Sequence, residues 1–417
     1  MKKLLATVVV VASSFVFSAA GASAAIATPT WLTANSVATG DQDAPSIASN
    51  RTGYVAVVWE DDRDSTNAPD NAHSEIYLRL FRNGAAVYEV KLSAGGGSGV
   101  TTWRHLNPDV GLDDKGNAVV VWSDDPDGNG YYNVPYRVVN TAGTVTASGS
   151  ANSSATGQQI NPRVAVDPDG APAGGAVAFT VAWEDIQTGT PATVKAAGYT
   201  GPTTRAWEVT ASQTTGQHHN PDVAVSASGD AVVVWDEDGD ANASYNVGLI
   251  RLARTNGAAS LSRRTANANV DGQQTHATVA ANFNGDFAVA WESDHTGTAG
   301  AWTRTFGSVG TPRFSEVQVA AGGKGPVVGV DDQANTVVGW TVQATDLDVW
   351  VRGFGTDGSD AGRLSGQQLS QLTAGRQEQM TVAVSPWSEV AVAYTDDNDG
   401  NTFDQVILGQ DMSNNSW

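Results

Sequence analysis

Residues 220–238, NPDVAVSASGDAVVVWDED, decide the fold. VAV is a short apolar strand. SASGD is a turn, in which Ser and Asp bend the chain and Gly229 supplies the positive φ that closes a hairpin. AVVVW is a second strand. Its apolar residues do not alternate with polar ones, so both of its faces must be covered. A near copy, NPDVGLDDKGNAVVVWSDD, starts at Asn107.

Aligned on the residue that follows the polar lead-in, the unit recurs at Pro45, Pro108, Pro162, Pro221, Ala277, Pro326 and Met380. Each anchor is followed by an aromatic residue: Trp59, Trp122, Trp183, Trp235, Trp291, Trp340 and Tyr394. The hairpin glycine stands at Gly53, Gly116, Gly170, Gly229 and Gly285, with Ala334 and Ser388 in the two worn copies. A third strand carries Arg79, Arg137, Lys195, Arg251, Arg304 or Arg352, and a poorer fourth strand such as YEVKLS or AWEVTA closes the unit. A repeat of this period is one supersecondary unit that buries its faces only against its neighbours. Four antiparallel strands covered on both sides fit a radial arrangement, so the expected fold is an all-β, seven-bladed β-propeller. Blades start near residues 44, 107, 161, 220, 276, 325 and 379. The seventh lacks a fourth strand, and residues 29–38, with the strand TWLTA, can complete it. A ring joined in this way has no open edge. A single domain over residues 25–417 is expected.

The chain opens MKKLLATVVVVASSFVFSAAGASAA. A basic start, a short apolar run and a small-residue Ala22-Ser23-Ala24 site predict a signal peptide over residues 1–24, hence a secreted product. No later stretch reaches the length of a membrane span, so no membrane insertion is expected. There is no cysteine, so stability must come from packing. The formal charge is −21. That disfavours nucleic acid and anionic membrane as partners, because both need Lys and Arg to neutralise phosphates. The acidity otherwise serves solubility, a cation or a basic partner.

In a repeat protein, a residue type found in every copy is first a scaffold candidate, and the Trp column reads as core. The third-strand Arg column is expected to pair with the acids two residues after the Trp: Asp61, Asp124, Asp185, Glu237 and Asp396. Strand order puts the lead-in segment and the loop after each Trp on one face. Three residues before the anchor stand Gln42, His105, Gln159, His218, Gln274 and Gln377, and beside the anchor stand Asn107, Asn161, Asn220, His276 and Gln379, with His219 next to His218. Amides and imidazoles ringing a channel mouth would suit hydroxyl-rich ligands such as sugars. The alternative is that they satisfy loop backbone groups between blades. Tyr131, Tyr132, Tyr245, His295, Trp302 and Phe403 fall in or beside the same loops and either stack on sugar rings or cover the loops; Trp103 and Trp207 read as packing. The acidic loops SDDPDGNGYY and TDDNDGNTFD offer oxygen ligands for Ca²⁺, with Asp124, Asp125, Asp127 and Asp396, Asp397, Asp399 as the candidates. None of these loops carries the full EF-hand pattern. No catalytic constellation appears: there is neither G-x-S-x-G nor H-E-x-x-H.

The run WEDDRD…EIYLR, Trp59 to Arg79, resembles the repeats of secreted bacterial β-propellers that share a VVWeDdRdG…dIyaqR signature. The resemblance spans the mature chain and implies the fold; activity in that group is mostly unassigned. The seven-unit layout is also similar to propeller lectins, which implies sugar sites. The sialidase Asp-box is only superficially similar, since the hairpin glycine Gly116 precedes Trp122 by six residues rather than three, and the nearest match to the FRIP motif is Phe81-Arg82-Asn83. The Gly-His element of WD40 repeats is missing. The expected function is a glycan-binding, lectin-like monomer. The alternatives are a scaffold for an extracellular protein partner and, after it, a glycoside-cleaving enzyme.

Overall fold

The structure is a computed structural model that describes residues 30–63, 74–94, 103–171, 173–343, 347–360, 364–369, 376–397 and 404–413. The predicted signal peptide, Asp399 and Phe403 lie outside the described residues.

Seven four-stranded antiparallel sheets form a ring, a seven-bladed β-propeller. The fourth blade shows the plan: Gln217–Val225 is innermost, followed by Ala231–Asp238, Asn246–Leu252 and Ala259–Thr265. The second strand is buried along nearly its whole length, as its unbroken apolar run requires. The Trp side chains fill the layers between blades, and Trp59, Trp122, Trp183, Trp235, Trp291 and Tyr394 are among the largest fully buried side chains. Each apolar cluster is shared by two successive blades, so every blade completes the core of the next.

The ring closes as expected. Thr30–Thr33 pairs antiparallel with Gln405–Ser413 as the fourth strand of the last blade. The Ala34 amide then donates to the Val406 carbonyl at 2.7 Å, and the Val406 amide donates to Asn35 Oδ1 at 3.1 Å.

The Arg column is corrected. Arg79, Arg137, Arg304 and Arg352 face the residue two before the Trp, for example Val57 opposite Arg79. Asp61 lies opposite Glu75, four residues along from Arg79, or about 14 Å at ~3.4 Å per residue. That is beyond reach. Arg79, Arg304 and Arg352 instead donate to carbonyls of the preceding blade, those of Ala34, Ala266 and Val319, at 2.7–2.9 Å. Only Lys195, which faces Trp183 itself, makes the expected pair, with Asp185 at 3.0 Å. In blades one and two the acid accepts the indole N–H of its own Trp: Trp59 to Asp61 and Trp122 to Asp124, both at 2.7 Å. Trp235 donates likewise to Glu237. Arg251 is out of register with the column, opposite Val232, on the other face of the sheet.

Candidate functional site

The inner strand of each blade breaks its register at the residue before the anchor, between Asp43 and Ser46, Leu106 and Asp109, Ile160 and Arg163, His219 and Asp222, Thr275 and Thr278, Lys324 and Val327, and Glu378 and Thr381. The residue at the bulge is left-handed in every blade: Ala44, Asn107, Asn161, Asn220, His276, Gly325 and Gln379 have φ between 46° and 54°. Asn and Gly visit this region most readily, which accounts for the Asn-Pro pairs of blades two to four. A bulge re-aims side chains. Here it separates two groups that the sequence places side by side.

The first group turns inward. Gln42, His105, Gln159, His218, Gln274 and Gln377 are almost completely buried. Gln42 Nε2 donates to the Thr39 and Gly40 carbonyls, Gln159 Nε2 to Thr156 and Asp185, and Gln274 Nε2 to Asp271. Their amide oxygens accept from Asn35, Asn152 and Asn267, seven residues earlier in each case. His105 holds Asp124 and the Ala94 carbonyl, His218 the Thr215 carbonyl, and Gln377 Asp396. These six residues, expected as possible ligand contacts, are corrected to loop supports, because every lead-in loop needs its backbone groups satisfied out of water.

The second group rims the channel. Asn107, His276 and Gln379 are exposed, and Asn161, Asn220 and His219 are half-buried. Asn107 Nδ2 donates to Asn161 Oδ1 at 3.0 Å, Asn161 Nδ2 to Glu184 at 2.8 Å, and Asn220 Nδ2 to Asp236 at 2.7 Å. A cavity of about 320 Å³ lies between Asn107 and Gly325, with Asn161, Asn220 and His276 on its wall. Beneath it a cavity of about 420 Å³ occupies the channel, with Ser46, Asp109, Arg163, Asp222 and Thr278 among its lining. Tyr245 stands by His219, ring centres 6.2 Å apart. Gln273 and Gln158 of the following blades clamp the loops that carry Tyr245 and Tyr132, accepting from their amides at 3.0 and 3.1 Å. Trp302 lies beside its loop, in the strand Gly300–Phe306, and is buried with its ring centre 4.4 Å from that of His295. Trp207 packs as expected, its indole donating to the Arg254 carbonyl at 2.7 Å.

The residue directly after the Trp is a function the sequence reading missed. Glu60, Ser123, Glu184 and Glu292 accept the backbone amides of Asn107, Asn161, Asn220 and Gly325 of the next blade, at 2.6–3.1 Å. Asp236 accepts from Ala277 at 3.3 Å. These clasps hold the left-handed residues in place. The repeated W-[ED] pair was the available signal. Burial, with Asp43 nearby, pushes the Glu60 carboxyl up to about 8. Burial works the same way on Glu184, but hydrogen bonds from His219, Asn161 and the Asn220 amide outweigh it and hold the carboxyl below its usual range. The bond to Glu184 in turn raises His219. In the channel wall burial pushes Asp222 up to about 7 and raises Asp109, while Arg163 pulls both down.

The acidic loops serve themselves. Asp125 accepts from the Asn129 and Gly130 amides at 3.0 and 2.9 Å, Asp127 from the Asn129 side chain at 2.8 Å, and Asp124 from Trp122 and His105. Asp396 takes Gln377 at 2.9 Å, and the Asp397 amide donates to the Arg376 carbonyl at 3.0 Å. Among the described residues no group of three or more His, Asp or Glu is placed to hold a metal ion.

A pH dependence follows. Burial, aided by neighbouring acids, holds Asp43 and Asp404 at about 7, and Asp222 and Glu60 are raised as above. The folded chain therefore keeps protons that the unfolded chain has released above pH ~4–4.5, and its stability falls as pH rises. Urea midpoints are expected to be lower at pH 8 than at pH 5. A midpoint at pH 8 equal to or above that at pH 5 would contradict these raised values.

No family model and no curated protein matches the chain. Solved structures do resemble it. A protein of unknown function from Dyadobacter fermentans is 12% identical with a TM-score of 0.51, covering 91% of this chain and 97% of that one. The GH93 α-L-arabinofuranosidase of Fusarium graminearum, in complex with arabinobiose, is 11% identical with a TM-score of 0.49 over 74% of this chain and 94% of its own. The NanB sialidase from Streptococcus pneumoniae is 10% identical with a TM-score of 0.48 over 91% and 70%. At these identities the likeness concerns the fold alone.

Proposed function

We propose that the chain is an exported glycan-binding protein, and that sugars bind at the channel mouth on the lead-in face. The observation that carries this reading is the ring of left-handed residues. Asn107, Asn161, Asn220 and His276 present amides and an imidazole around a 320 Å³ cavity, on backbone fixed by the clasps. Amides offer donors and acceptors together, the complement of hydroxyl groups, and a fixed rim loses little freedom on binding. Tyr245 adds an aromatic ring beside His219. Binding is favoured over cleavage because Glu60, Glu184 and Asp236 are buried and already bonded to neighbouring backbone.

A glycan array probed with residues 25–417 tests the reading, with Ca²⁺ and with EDTA. Binding to a set of related glycans is expected in both conditions, since the loop acids satisfy their own turns. No binding across a broad array at high protein concentration would sink it. A stoichiometric protein captured from culture supernatant in that case would put a scaffold in its place.

A further inference from the structure

We infer that the channel takes the end of a glycan chain, its terminal sugar seated against Arg163, and does not bind a length of chain laid across the face. The inference rests on the glycan reading above and specifies how that site is used.

The channel is a cup. Its 420 Å³ upper cavity shares Asn107, Arg163, Asp222, Thr278 and Val327 with the mouth cavity, so the two are continuous. Below the polar wall the inner strands present buried apolar side chains, among them Ile47, Val110, Val223 and Val382. A separate 150 Å³ cavity lies at the far end and shares no lining residue with the upper one. Arg51 reaches across that far end. From the first blade its guanidinium lies 4.0 Å over the Phe283 ring of the fifth, 3.5 Å from Asp332 of the sixth and 4.0 Å from Asp114 of the second. A polymer therefore has one way in and none through, so it enters by an end. Ligand pockets run roughly 300–1,000 Å³. The upper cavity is at the small end of that range and suits a terminal unit.

Arg163 is the cationic group on the wall with donors to spare, on a wall that also carries Gln379 and Thr381. Both oxygens of Asp109 are engaged, by Ser46 Oγ and the Val164 amide, each at 2.6 Å. Those of Asp222 accept the Val223 and Val279 amides at 2.9 and 2.7 Å. Thr278 donates to the Pro326 carbonyl at 3.1 Å. Arg163 donates from Nη1 to the Pro162 carbonyl at 3.0 Å, and no ion pair to it is found among the described residues. A guanidinium has five N–H donors. Acceptor oxygens on the terminal sugar, hydroxyl or carboxylate, are their complement.

Titrations with xylo-, cello-, chito- and galacturono-oligosaccharides of one to six units test this on the unmodified protein. In the series that binds, affinity is expected to change less than about threefold beyond two units. Preference for the galacturonate series identifies the acceptor as carboxylate, and preference for a neutral series as hydroxyl; both support the terminal-sugar contact. Arg163→Met is expected to weaken binding at least about tenfold and Arg163→Lys less, with the melting transition followed in parallel. Affinity that climbs more than about tenfold from two to six units overturns the end-on mode while leaving glycan binding in place. Unchanged affinity in folded Arg163→Met overturns the assigned contact. Failure of all these ladders and of the array overturns the glycan reading and this inference with it.

Discussion

Trp235→Ala is expected to cost about 3–5 kcal/mol, a large share of the ~5–15 kcal/mol that holds a typical domain folded. Trp235 is 1% exposed. Its ring lies so close over Gly248 of the adjacent strand that a Cβ there would fall 2.4 Å from the indole. It packs in a cluster with Ala182 and Val194 of the third blade and with Val223 and Ile250 of its own. Alanine would leave a void between two blades and strip Glu237 of its indole donor. Urea unfolding followed by circular dichroism reads the loss. Trp235→Phe should cost less, since it keeps most of the ring. A loss below about 1 kcal/mol for the alanine variant would mean that the inter-blade aromatic layer does not carry the core.

Removing residues 25–36 is expected to be worse. That cut takes away the strand Thr30–Thr33, the Ala34 amide bond to Val406, the Asn35 side-chain bonds to Val406 and Gln42, and the carbonyl that Arg79 holds. Gln405–Ser413 then becomes a raw strand edge, and raw edges pair with other chains. The truncated chain should be recovered as aggregate or as a species without a cooperative transition. Moving the same segment to the C-terminus through a short linker should restore a soluble, cooperatively melting protein. A truncated chain that melts like the parent would show that closure by this strand is dispensable.

The architecture was legible because its cause is local. An unbroken AVVVW run needs two covered faces, the hairpin glycine recurs at Gly53, Gly116 and Gly229, and a last unit short of one strand needs another from somewhere. The site was legible only in part. Gln159 and Asn161 stand two residues apart, and the sequence alone places them in one ring. A regular strand would indeed point them to the same side, but the left-handed turn at Asn161 sends Gln159 into the blade and leaves Asn161 at the mouth. The Asn-Pro pairs carried that information in their tolerance of positive φ. The Arg column failed for a different reason: a shared face is not proximity when four residues of strand intervene, as between Arg79 and Asp61. Arg163 gives no signal in the sequence, because it occupies a position that is Ser46, Asp109 or Asp222 in other blades, and a residue peculiar to one copy leaves no column to read.

The most direct test of the central claim is calorimetric titration of the strongest array glycan into the parent and into the Asn107→Gly, Asn161→Gly, Asn220→Gly triple variant. Glycine keeps the left-handed backbone without strain and removes the side-chain amides, with the bonds that those of Asn161 and Asn220 make to Glu184 and Asp236. The account predicts a variant that still melts cooperatively, below the parent because buried Glu184 and Asp236 lose the Asn161 and Asn220 donors, and that binds at least about tenfold more weakly. A folded variant with parental affinity would place the glycan somewhere other than the channel mouth.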